Sequence, residues 1–231
     1  MRKKSGERCQ AILDAAKTLF EKVGFEQATM AEIAATAGHS KATLYNYFSS
    51  KEQLFLELAR RSADRHSEQL FSLLMPDCGS APLDTLPDQV NQVLALLQPS
   101  DDLPATLQRF GEGVMSNFLS LKSLAARRML IAAAATQPEA GRLFFENGPA
   151  KGMQFTAQFF AQAMNAGQLR HADPHVVAAH FRGLLESEVY ESGLFNARRE
   201  LKPKQVKATV ERAVSAFIRA YAPTTTDLTD D

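Results

Sequence analysis

Apolar residues recur at three- and four-residue intervals along almost the whole chain, and no stretch alternates apolar with polar residues as a half-buried strand would. That pattern confines the chain to an all-α fold, and no internal repeat points to a solenoid. With 231 residues, 45% of them apolar, it can bury a sizeable core in one large or two small domains. No apolar run approaches the roughly 20 residues that a membrane span needs. The charged opening MRKKSGERC leads into an amphipathic segment and not into the apolar core of a signal peptide. The expectation is therefore no membrane partner and a cytoplasmic location.

The first helix is expected over about residues 7–23, with Ile12, Ala15, Ala16, Leu19, Phe20 and Val23 on one stripe and a stop at Gly24. Thr29 is a good N-cap for a short second helix that turns Met30, Ile33 and Ala34 inward and ends at Gly38. Ser40 caps a third helix running to about Phe48, and Ser50 a fourth over 51–74. Two short helices joined by a tight glycine turn, preceded by a stabilising helix, form the pattern of a helix-turn-helix. Further helices are expected at about 88–98, 102–119, 121–136, 150–166, 174–194 and 203–221. The Pro- and Gly-rich segment 76–89 reads as a connector, and Asp173 before Pro174 as a helix start.

The third helix carries the chemistry. At 100° per residue, positions 41, 45, 42 and 46 share an arc of about 140°, and Leu44 and Phe48 fall outside it. Leu44 and Phe48 can lock the helix onto Ile33, Leu19 and Phe20. Lys41, Ala42, Tyr45 and Asn46 then face outward, where the major groove of double-stranded DNA can receive them. Thr43 and Tyr47 offer hydroxyls to flanking phosphates, beside the Ser40 cap. Thr29 and Lys51 each stand at a helix N-terminus, where free N–H groups favour a phosphate. Total charge gives no such hint, since Lys+Arg and Asp+Glu both number 26. Residues 1–51 do hold eight basic against five acidic side chains, a net of +3.

The stretch TMAEIAATAGHSKATLYNYFSSKEQLF (29–55), preceded by ILDAAKTLFEKVGFEQ (12–27), closely resembles the DNA-binding head of the tetracycline-repressor (TetR/AcrR) family. The resemblance implies that Tyr45, Lys41 and Ala42 face bases and that Thr29, Thr43, Tyr47 and Lys51 hold phosphates of an operator. His39 and Ala42 depart from the residues frequent at their positions, which bears on the operator sequence read. The segments 127–149 and 167–187 resemble, more weakly, the carboxy-terminal domain of efflux- and lipid-responsive members. That implies a head over residues 1–50 and an effector-binding and dimerisation domain over 51–222 linked by helix 51–74, while the segment PTTTDLTDD (223–231) reads by its composition as a disordered tail.

The family likeness also implies a homodimer, with 150–166 and 174–194 as candidate dimer helices and the stripe Val206, Val210, Val214, Phe217, Ile218 and Tyr221 as a further element. Two heads spaced by about one DNA turn can read a palindrome. Most large apolar side chains of the body are core by default, yet clustered Phe and Met also suit a pocket for a small apolar or amphipathic effector. The expected lining is Phe110, Met115, Phe118, Met129, Phe155 and Phe159, with Asn117 and Arg128 as polar members. The function expected is a repressor released by its effector and controlling efflux or lipid and xenobiotic response genes. An activator, or a ligand-dependent DNA binder of the same fold, is the alternative.

Neither a cofactor nor a metal site is expected. His171 and His175 are four apart, but the helix start at Pro174 falls between them and no cysteine completes a shell. Cys9 and Cys78 lack metal-type spacing and read as inert thiols. Catalysis is not expected, since G-x-S-x-G, phosphate-loop and dinucleotide fingerprints are all missing from the sequence.

Overall fold

Every regular element among the described residues is helical, and the computed structural model describes residues 2–74 and 102–223. In chain order they are α1 (Arg2–Val23), α2 (Met30–Thr36), α3 (Lys41–Tyr45), α4 (Lys51–Leu74), α5 (Leu103–Phe118), α6 (Leu121–Ala134) and α7 (Pro138–Phe145). A π-helical turn (Glu146–Ala150) follows, then α8 (Lys151–Asn165), α9 (Pro174–Glu186), α10 (Tyr190–Leu194) and α11 (Pro203–Tyr221). The connector 76–89, the helix at 88–98, Cys78 and the tail after residue 223 lie outside the described residues.

Contacts divide the chain into two compact units, Met1–Asp64 with Ala125–Gly148 and Arg65–Leu124 with Pro149–Asp231. In the first, the α1 stripe buries Ile12, Ala16 and Phe20 against Ile33 of α2, Leu44 of α3 and Leu54, Phe55 and Leu58 of α4. Phe20, Phe25 and Phe55 form a triangle with ring centroids 5.0–5.6 Å apart, a geometry that adds about 0.5–1.5 kcal/mol per pair to simple burial. Leu130, Ala133 and Ala140, from α6 and α7, complete this core. Val23, expected inward, is exposed, because α1 ends there and Gly24 swings the chain away at φ +83°.

Helix α7 has no counterpart among the sequence expectations. Its N-cap Gln137 makes no side-chain cap and its Gly141 looks like a breaker. The glycine is there for space: a Cβ at 141 would stand 2.9 Å from the Cβ of Ala134 on α6. The π turn that follows contains Pro149, whose missing N–H removes a rung from a regular α ladder.

Arg60 and Arg61 flank Glu57 on α4 at 2.9 and 2.7 Å, and Arg61 continues to Gln10 of α1 at 2.7 Å. The Arg60 hydrogen bond, helped by Arg61, holds the Glu57 carboxyl below the ordinary glutamate range, against a partial burial that pushes it up. A lowered folded-state pKa means stability that is present above the ordinary value and lost as pH falls through the lowered one. Glu57→Gln is therefore expected to lower neutral-pH stability by up to about 1 kcal/mol, with the gap closing in acid. Thermal melts across pH check this, and a gap that persists in acid would contradict it.

The second unit is built around Phe160 of α8, whose ring lies 5.6 Å from Phe159, 5.7 Å from Phe181 of α9 and 5.0 Å from Phe217 of α11. Phe110 of α5 stacks on Phe181, and Tyr221 extends the column beyond Phe217. Gly111 lets α5 approach closely, since a Cβ there would meet Val210 Cγ1 at 2.6 Å. The helix expected over 174–194 is broken at 187–189. Val189 leaves helical geometry (φ −131°) and its side chain, 5% exposed, turns into the core.

Candidate nucleic-acid interface

The turn between α2 and α3 is closed by the pattern in which the amide of His39 donates to the carbonyl of Ala34 (2.9 Å) and that of Gly38 to Ala35 (3.1 Å). Gly38 takes φ +70°, a conformation that glycine adopts without strain. Helix α3 then starts on Ser40, whose hydroxyl accepts the Thr43 amide at 3.1 Å and lies 2.9 Å from the Thr43 hydroxyl. It ends at Tyr45, earlier than the expected Phe48, because the Leu44 carbonyl accepts both the Tyr47 and Phe48 amides at 3.0 Å and tightens the last turn. Ser50 follows directly as the cap of α4, accepting the Gln53 amide.

The sides of α3 separate as the residue pattern requires. Leu44 is fully buried and Phe48 nearly so, while Lys41, Ala42, Tyr45 and Asn46 are exposed, Tyr45 at 50%. A tyrosine that open to water, with a lysine and an asparagine beside it on one face, presents donors, acceptors and an apolar ring edge to a groove. Thr43 and Tyr47 are half-buried, and Tyr47 packs against the core.

Thr29 caps α2 in a reciprocal box with Glu32: its hydroxyl donates to the Glu32 carboxylate at 2.7 Å and accepts the Glu32 amide at 3.3 Å. The T-x-x-E spacing signals this box in the sequence, but the Glu32 role was not anticipated. Lys51 stands at the start of α4 as expected, but its ammonium points inward and donates to the carbonyls of Phe25 (2.7 Å) and Glu26 (3.1 Å). Glu52, next to it, is held below the ordinary carboxylate range by its own backbone amide and by the Ser50 hydroxyl.

The expected effector lining is split between the two units. Phe110, Met115, Phe118, Phe155 and Phe159 are all buried in the core of the second. Asn117 donates to the Gly113 carbonyl of its own helix. Arg128 and Met129 belong to the first unit, where Met129 packs on the head core. Met115 also lines a surface cavity of about 350 Å³ with Leu119, Leu201 and Val206, rimmed by Glu112 and Glu200. His66 of α4, not singled out in the sequence, lies with its ring 4.2 Å from Phe118. Among the described residues, no group of three or more His, Cys, Asp or Glu is arranged to hold a metal, and no helix is long and apolar enough to cross a membrane.

Residues 12–58 match the family described as "Bacterial regulatory proteins, tetR family", and residues 105–223 match "AefR-like transcriptional repressor, C-terminal domain". The HTH-type transcriptional repressor AcnR of Corynebacterium diphtheriae is 43% identical over 61 residues, 26% of this chain. The chain thus spans about a third of the length of the curated relatives it matches, 32% for this one. Solved structures match far more of it. A TetR-family regulator from Mesorhizobium loti superposes with a TM-score of 0.75 at 26% identity, covering 94% of this chain and 98% of that one. The Flavonoid-responsive Regulator FrrA superposes with a TM-score of 0.68 at 28% identity, covering 95% and 100%. With one family match over residues 12–58, another over 105–223 and a shared fold over 94% of its length, the chain belongs to the TetR family of bacterial transcriptional regulators.

Proposed function

We propose that this regulator is a homodimeric repressor that holds a palindromic operator through two helix-turn-helix heads and releases it when a small apolar or amphipathic effector binds. The observation that carries the reading is the two-sided α3: Leu44 fully buried, with Lys41, Ala42, Tyr45 and Asn46 exposed on the other side. In this reading residues 1–50 bind DNA, with Ser40, Thr43, Tyr47, the Thr29 cap and the start of α4 at Lys51 along the phosphates. Residues 51–222 take the effector and form the dimer, with α4 linking the two functions.

Dimerisation is supported by apolar surface on the second unit. Val176 on α9 is 44% exposed, Gly183 has open space where a Cβ would stand, and Phe195 is 73% exposed. Such surface suits burial against a second copy. The effector chemistry is supported by the Phe and Met side chains at 110, 115, 118, 155 and 159, with His66 as a polar member. FrrA, similar across the whole chain, is named for a response to flavonoids, aromatic molecules of that character. Efflux or lipid and xenobiotic response genes are the proposed targets.

Selection of bound duplexes from a random DNA pool tests the reading. Wild type is expected to enrich an inverted repeat whose half-sites lie about one helical turn apart, roughly 34 Å, and Tyr45→Ala to enrich nothing. A folded dimer that enriches no sequence at low salt would refute operator recognition by the free protein.

A further inference from the structure

Lys51 opens α4, the end of a helix where the dipole disfavours a cation. Its ammonium is nonetheless drawn inward by three groups: the carbonyls of Phe25 and Glu26 and the Phe25 ring, whose centroid is 4.4 Å away. Hydrogen bonds from a charged donor are the strong kind, and a cation on an aromatic face adds to them.

The acceptors precede Lys51 by 26 and 25 residues. Helix α2 begins just after Glu26 and α3 ends just before Lys51, so the contact fastens the two ends of the helix-turn-helix together. The turn it grips is anchored elsewhere too. Phe25 is buried between Phe20 and Phe55, and the Glu26 carboxylate accepts the Thr136 hydroxyl at 2.8 Å. Two of the three ammonium N–H groups are used on these carbonyls, so the Lys51 side chain is held against the turn whatever its third N–H meets.

We infer that Lys51 is a positioning residue for operator reading: acting through the carbonyls of Phe25 and Glu26, its ammonium sets the angle at which α2 and α3 are presented. The inference rests on the DNA-reading function proposed above and assigns one residue of that site a role beyond the phosphate contact its family position implies.

The test uses Lys51→Met, which keeps the aliphatic stem, and Lys51→Arg, which keeps the donors, both in the full-length protein with folding checked by circular dichroism. Binding is measured against salt on two probes, the duplex that wild type enriches and a mixed-sequence duplex. Lys51→Met is expected to bind the enriched duplex about tenfold more weakly, the loss that roughly 1.4 kcal/mol of charge-assisted bonding represents. The loss on the mixed-sequence duplex is smaller, and Lys51→Arg recovers most of it on both. Amide exchange, which needs no DNA, is expected to speed up at residues 24–29 in Lys51→Met. Unchanged exchange in that turn would overturn the inference, as would a loss that falls equally on both duplexes with a slope of log affinity against log salt lowered by about 1.8, the share of one phosphate in each of the two heads. If wild type binds neither duplex, the DNA-reading function fails on its own, and the exchange measurement still decides whether Lys51 fastens the turn.

Discussion

Tyr45→Ala is expected to abolish specific operator binding while leaving the melting temperature essentially at the wild-type value. The side chain is 50% exposed and lies outside the head core, so its removal opens no cavity. Its ring and hydroxyl stand on the face that α3 turns away from Leu44, and tyrosines that anchor an interface are worth about 2 kcal/mol or more on truncation. In a two-fold dimer both heads lose the contact, which brings the loss to about 4 kcal/mol, on the order of a thousandfold in affinity. Titration of the enriched duplex by fluorescence anisotropy, beside a thermal melt, separates the two quantities. Binding within about threefold of wild type would remove α3 from the reading surface.

Phe160→Ala is expected to show the opposite signature. The ring is fully buried among Phe159, Phe181 and Phe217, at the meeting of α8, α9 and α11. Its neighbours are themselves held by further helices, so little can collapse into the space left. A loss of about 3–5 kcal/mol follows, a large fraction of the stability of an ordinary domain. Denaturant unfolding measures it directly, and a loss below about 1 kcal/mol would mean that the aromatic column is not the centre of that unit. Because Phe160 belongs to the second unit, the affinity of whatever dimer remains folded is expected to stay near wild type.

The head was legible because its determinants are local. Thr29, Gly38, Ser40 and Ser50 act on amides and carbonyls within a few residues, and the spacing of Ile33, Leu44 and Phe48 is enough to separate the inner from the outer side of α3. What escaped has its cause far off in the chain. The acceptors of the Lys51 ammonium lie 25 and 26 positions away, so its place at a helix start suggested a phosphate. Gly141 reads as a breaker until the approach of Ala134 is seen, and with it α7 was missed. Phe110 and Met129 share a composition but belong to different cores, a distinction that helical periodicity does not carry. The break after Glu186 depends on where the Val189 side chain finds room, which is a property of the packed unit.

Leu130, Ala133 and Ala140 close a core whose other members end at Ala59. On the ribosome, a chain that has emerged only as far as α4 therefore carries the whole helix-turn-helix but not the side chains that seal it. Three buried side chains of the head core are missing until residue 140 is out, and the contacts they add have a long sequence separation, unlike those among its own short helices. A prematurely terminated chain that stops before Leu130 thus has a head core short of three buried side chains.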